Sequence, residues 1–175
     1  MKEGAHAQPT WFIALRAVVV ATLFTAFWVA AMLFVRRLDD GLSLPGWAWP
    51  LGIVLAALGG AAALSCVAIF VVRGRGTSAP FDPPREFVVS GPYRFCRNPM
   101  VLGFCVMLAG LALCLRSPTA LMFAAFVFLL GNVMVVAWEE PHLRAKFGQA
   151  YVDYCRRTPR WIPKARPRDN GPALR

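Results

Sequence analysis

Four long uncharged stretches decide what this chain can fold into. They are Ala17–Val35 (nineteen residues), Trp47–Val72 (twenty-six), Met100–Leu115 (sixteen) and Pro118–Trp138 (twenty-one). A helix rises about 1.5 Å per residue, so runs of this size match a hydrocarbon core roughly 30 Å thick. One such run reads as a signal peptide, but several need a bilayer. The first is kept as a span because Met32–Val35 continue the apolar run beyond the small-residue site Val29-Ala30-Ala31. With 58 % hydrophobic and only 16 % charged residues, the chain cannot cover a soluble surface. The fold class expected is all-α, an integral membrane bundle of about four transmembrane helices with a cytoplasmic loop and a C-terminal amphipathic helix. Residues 1–175 are read as a single unit, with 164–175 as a Pro- and Arg-rich tail, disordered or lying on anionic headgroups.

The net charge of +10 invites a nucleic-acid reading, which the distribution of charge opposes. The basic residues flank the apolar runs, and no zinc finger, basic zipper or RNA-binding motif is present. With four spans, sixteen of the nineteen lysines and arginines fall on one side, leaving Arg36, Arg37 and Arg116 on the other. The positive-inside rule then puts both termini and the middle loop in the cytoplasm. Five cysteines, Cys66, Cys96, Cys105, Cys114 and Cys155, form no CxxC pair, so neither a disulfide framework nor a metal site is expected. Ala56, Gly59, Gly60 and Ala63 in the second run allow close helix contact. The two-residue link Arg116-Ser117 makes the third and fourth runs an antiparallel hairpin.

Any polar site is left to the loop Arg73–Pro99 and the segment Glu139–Pro163. Gly91-Pro92-Tyr93-Arg94 is a turn leading to Asn98-Pro99 at the start of a helix, which exposes backbone N–H groups and aims an aromatic and two arginines at one mouth. An ordinary interfacial loop with snorkelling arginines fits the same residues. Leu143, Phe147, Tyr151 and Tyr154 form one stripe of an amphipathic helix, which suits docking on the bilayer surface or on the bundle. Pro141 suits its first turn. Glu139 and Glu140 are adjacent carboxylates ending a long apolar helix. They are costly there unless they face water or a cation, although a solvated helix end accounts for them too. His142 stands alone, with no second imidazole to make a metal site.

At these two segments the sequence resembles the isoprenylcysteine carboxyl methyltransferase and phospholipid N-methyltransferase superfamily of small membrane enzymes. Gly91, Tyr93, Arg97, Pro99 and Gly103 meet the loop pattern G-x-Y-x-x-x-R-H-P-x-Y-x-G. Glu139, Glu140, Leu143, Phe147, Gly148, Tyr151 and Tyr154 meet E-E-x-x-L-x-x-x-F-G-x-x-Y-x-x-Y, and Arg160 with Pro163 supplies the downstream R-x-x-P. The match covers about Arg85–Pro163. Asn98 departs from the pattern's histidine and cannot shuttle protons near neutral pH, and Val101 departs from its tyrosine.

The resemblance implies S-adenosylmethionine as cofactor and methyl transfer to a lipophilic, membrane-dissolved acceptor bearing a carboxylate, amine or thiol. It implies a cofactor site at Arg85, Glu86, Phe87, Val88, Tyr93, Arg97, Asn98, Glu139 and Glu140. Glu139 is the anchor among these, and Arg97 braces the loop or pairs with a carboxylate. No catalytic base is implied. The apolar stretch Val133–Trp138 before the glutamates disfavours a prenylcysteine carboxylate as acceptor. Two other readings stand beside this one: an NADPH-dependent membrane reductase of sterol or lipid double bonds, and a non-enzymatic membrane scaffold.

Overall fold

The computed structural model of the chain describes residues 10–69, 71–72 and 90–164. Six α-helices run through them: α1 Thr10–Val35, α2 Ala48–Ile69, α3 Pro99–Cys114, α4 Pro118–Met134, α5 Glu140–Phe147 and α6 Gln149–Arg157. No strand occurs among the described residues. The all-helical membrane fold expected from the apolar runs is therefore observed. Among the described residues, three apolar helical stretches are long enough to cross a bilayer: Ala14–Leu38, Ala48–Ile69 and Pro118–Phe147. α3, with sixteen residues, falls short of that length, since about 20 residues are needed. Large apolar side chains such as Leu23, Phe27, Leu58 and Leu64 lie on the outside, which in a bilayer is the lipid-facing surface.

α2 and α3 form the most extensive helix contact, and glycines permit it. Gly52 and Gly59 on α2 face Gly110 and Gly103 on α3 in antiparallel order, each pair seven residues apart, so both stay on one seam over two turns. A Cβ on Gly59 would stand 2.6 Å from the Gly103 carbonyl oxygen, and one on Gly110 would stand 2.7 Å from that of Gly52. The backbones are in contact, and only glycine fits. Ala56 and Ala63 lie on this seam as expected, whereas Gly60 only borders it, since a Cβ there would stand 3.6 Å from Met107 Sδ. α1 and α4 close the other side around Met32, Cys105, Leu108, Ala112, Ala120, Ala124 and Val127.

The α3–α4 hairpin turns at Leu115–Ser117. Ser117 Oγ accepts from Ala120 N at 3.0 Å and caps α4. Asp39 reaches across from the end of α1, its Oδ1 accepting from Thr119 N at 3.0 Å and Thr119 Oγ1 at 2.6 Å. These contacts tie α1 to α4 at the end of the bundle away from the glutamates.

At the other end α4 does not stop but widens. Val135–Glu139 form a π-helical turn, closed by the Glu140 N–H on the Val135 carbonyl, and α5 follows directly. Pro141 helps to explain this, because it has no N–H for the carbonyl four residues back. The amphipathic segment expected as one helix is two. Gly148, at φ +56° and ψ −131°, takes a conformation that side chains oppose and breaks it into α5 and α6.

Candidate active site: a carboxylate pair behind the Tyr93 turn

Three segments meet at the widened end of α4. The first is Gly91–Arg94, a single 3₁₀ turn, followed by Phe95–Asn98. The second is the π-helical turn with Glu139 and Glu140. The third is Thr158–Lys164, an irregular strap after α6.

The strap is stitched to the turn by backbone groups. Arg97 N donates to the Pro159 carbonyl at 2.8 Å, and Lys164 N donates to that of Phe95 at 3.1 Å. The buried Cys96 thiol lies 3.1 Å from the Arg160 carbonyl. Asn98 is buried too, with its amide nitrogen 3.5 Å from that same carbonyl. α6 supports the turn from below, since Tyr154 Oη donates to the Tyr93 carbonyl at 2.7 Å. The tyrosine stripe thus docks on the bundle, with Tyr151 and Tyr154 both buried.

The two glutamates have opposite surroundings. Glu140 is 8 % exposed and is held by two arginines. Arg160 makes a bidentate pair with it, Nε to Oε1 at 2.8 Å and Nη2 to Oε2 at 2.9 Å, while Arg97 Nη1 sits 2.9 Å from Oε1. The Arg97 Nη1 also meets Cys155 Sγ at 3.0 Å. Such a fork is the strong form of a carboxylate–guanidinium contact. Accordingly the hydrogen bond it donates to Glu140 holds the Arg160 guanidinium above its usual range. Glu139 is exposed, and no hydrogen bond or ion pair to its carboxylate occurs among the described residues. It lies within electrostatic reach of Tyr93, whose hydroxyl is also close to the Cys66 thiol of α2. Burial, then the neighbouring Cys66 and Glu139, push the Tyr93 phenol far above its ordinary value. A phenol raised in this way stays protonated at neutral pH and can donate a hydrogen bond.

Of the residues singled out in the sequence, the fold brings Tyr93, Arg97, Asn98, Glu139 and Glu140 to one place. Arg97 pairs with a carboxylate, one of the two roles expected of it. Arg85, Glu86, Phe87 and Val88, together with the tail beyond Lys164, lie outside the described residues.

Residues 47–150, more than half of the chain, match the phospholipid methyltransferase family. The chain belongs to that family. Among its relatives is the cobalt-zinc-cadmium resistance protein CzcN of Cupriavidus metallidurans, 28 % identical over 156 residues that make up 87 % of this chain and 66 % of that one. The nickel-cobalt-cadmium resistance protein NccN of Alcaligenes xylosoxydans xylosoxydans is 34 % identical over 45 % of this chain and 37 % of its own. Protein-S-isoprenylcysteine O-methyltransferase B of Arabidopsis thaliana is 30 % identical over 45 % of this chain and 40 % of its own. The chain thus spans between 37 % and 66 % of the length of these relatives. No solved structure is detectably similar to it.

In this member of the phospholipid methyltransferase family several residues of the candidate site escape a reading of the sequence. Trp161 donates from Nε1 to Asn132 Oδ1 of α4 at 3.0 Å and packs edge-on against Phe128, with centroids 5.0 Å apart. Asn132 was legible in principle, as the one carboxamide in an apolar helix and hence a group that needs a partner. Trp161 and Cys155 carried no comparable signal.

Proposed function

We propose that this protein transfers a methyl group from S-adenosylmethionine to a lipophilic acceptor dissolved in the membrane, at the cytoplasmic face. The observation that carries the reading is the division of labour between the glutamates. Glu140 is consumed by Arg97 and Arg160, whereas Glu139 presents a carboxylate without a partner among the described residues beside Tyr93. A free carboxylate at an apolar mouth suits the hydroxyl and ammonium donors of that cofactor. Membership of the phospholipid methyltransferase family supports the same chemistry.

When bound, S-adenosylmethionine supplies an electrophilic methyl group on a sulfonium centre. Glu139 would anchor its polar end, with Tyr93 and Asn98 nearby, and by the resemblance Arg85, Glu86, Phe87 and Val88 belong to the same cofactor site. Glu140, Arg97 and Arg160 keep the turn and strap together, so that the arrangement around Glu139 is set before binding. In-line transfer from a sulfonium disperses charge, so orientation and exclusion of water supply most of the rate and no protein nucleophile is required. The acceptor is a phospholipid amine, a thiol or another lipophilic nucleophile reaching the mouth from the bilayer.

Thermal unfolding in detergent with S-adenosylhomocysteine or NADPH tests the reading. Stabilisation by the first alone is expected, by about 2.7 kcal/mol at a hundredfold excess over Kd. Stabilisation by NADPH would favour a reductase, and no shift with either would leave a scaffold. Mass spectrometry of lipid extracts incubated with the protein and an isotope-labelled methyl donor then identifies the acceptor.

A further inference from the structure

We infer that Asn132 and Trp161 are positioning residues, which with the Arg160–Glu140 pair fix the register of the π-helical turn and so the direction in which the Glu139 carboxylate points. The inference rests on the proposed role of Glu139 and deepens it.

A π-helical turn carries one residue more than an α-helical one, and each residue is worth about 100° of rotation. The register of Val135–Glu139 therefore decides which way the Glu139 carboxylate points relative to α4. Pro141 removes one α-helical bond nearby but does not choose the register. The strap does so, by gripping the helix on both sides of the turn. Trp161 holds Asn132, three residues before it, and Arg160 holds Glu140, immediately after it. Asn132 and Glu140 are eight residues apart, about 12 Å along a helix. Arg160 and Trp161 are neighbours with Cα atoms about 3.8 Å apart. Two adjacent long side chains thus reach in opposite directions along the helix axis and bracket the widened turn.

The bracket is itself anchored to the Tyr93 side of the site. The strap is bonded to Phe95, Cys96 and Arg97 of the turn that carries Tyr93. The edge contact with Phe128, one turn before Asn132, fixes the plane of the indole. Tyr93 and Glu139, which come from segments far apart in the chain, are thereby referred to one frame.

Trp161→Phe keeps the aromatic contact and removes only the N–H donor. Hydrogen exchange of the amides of residues 135–140 in the full-length protein, in detergent without ligand, should speed up about five-fold in that variant, the worth of one hydrogen bond. Asn132→Leu should do the same, and Asn132→Gln, which keeps a carbonyl acceptor, should restore slow exchange. S-adenosylhomocysteine affinity should fall several-fold in Trp161→Phe, and that loss should vanish when Glu139 is already Gln, because the indole acts through Glu139. Unchanged exchange in both Trp161→Phe and Asn132→Leu would overturn the inference. So would an affinity loss of equal size with and without Glu139. If the native protein binds no S-adenosylhomocysteine, the proposed function falls, and the exchange measurement alone decides whether the bracket holds the turn.

Discussion

Glu139 and Glu140 show how little a residue's identity says about its job. Adjacent and chemically the same, they differ because one is forked by arginines and the other is not. Removing the charge at Glu140 strands Arg97, which is only 13 % exposed. Glu140→Gln should therefore cost about 3 kcal/mol of stability, the low end for breaking a buried ion pair. Glu139→Gln should leave unfolding almost unchanged and weaken S-adenosylhomocysteine binding about ten-fold, the worth of one charged hydrogen bond. Denaturant unfolding and calorimetric titration of the two variants would separate these outcomes. The resemblance picked Glu139 as the anchor, but the physical difference between the two, the arginine fork on Glu140, depends on a strap some twenty residues downstream that no local pattern records. At the opposite end of the bundle, hydrogen bonds from the Ser117 and Thr119 hydroxyls, in that order, hold the Asp39 carboxyl below the usual carboxylate range. A depressed pKa gives stability that is present above the unfolded value, about 3.9, and is lost as pH falls through the folded one. Melting curves from pH 6 to pH 3 should show an acid-side loss that Asp39→Asn diminishes.

Among the elements, the α2–α3 seam is the most sensitive to side-chain size. Gly110→Val places a branched side chain against the backbone of α2, where nothing flexible can give way. We expect a loss of at least 1–3 kcal/mol, the range for overpacked interiors. Gly60→Ala, whose new methyl meets only the thioether of Met107, should be near neutral. Size-exclusion profiles and melting temperatures of the two variants in detergent check the contrast. Small residues in the second run announced close packing, yet not its partner. Gly103, which reads as part of a loop-and-cofactor motif, is a packing glycine against Gly59 and Ala63. The amphipathic stripe was equally visible, but its division at Gly148 was not. A stripe records which residues face inward, whereas a break depends on backbone angles.

For the whole molecule, the distribution of charge makes a prediction that packing leaves open. Sixteen of nineteen basic residues fall on the side carrying the termini and the site if four spans are counted. α3 is the element on which that count depends, being too short to cross an average bilayer unaided. Reporter fusions after Lys2 and before Arg175 should both report cytoplasmic, as should labelling of cysteines introduced near Arg94. A split result would mean that α3 does not cross, and the site would then have to be reached from a different face. The Asp39–Thr119 and Glu140–Arg160 clusters sit at opposite ends of α4, so the same labelling at residue 40 should report the outer side.

The length and polarity of the apolar runs determined, without any structure, that the chain is a helical membrane protein and where its four long apolar helices fall. The spacing of the two motifs marked the residues that meet. Those features are local: they depend on burial along a single helix and survive in a linear reading. The tertiary structure alone decided the glycine seam, the widened turn at Val135–Glu139 and the strap that forks Glu140 while leaving Glu139 exposed. Each of these is a matter of helical phase and of contact between distant segments. A one-residue change of register, or a neighbour brought in from far along the chain, changes which group faces which, and no periodicity in the sequence records that.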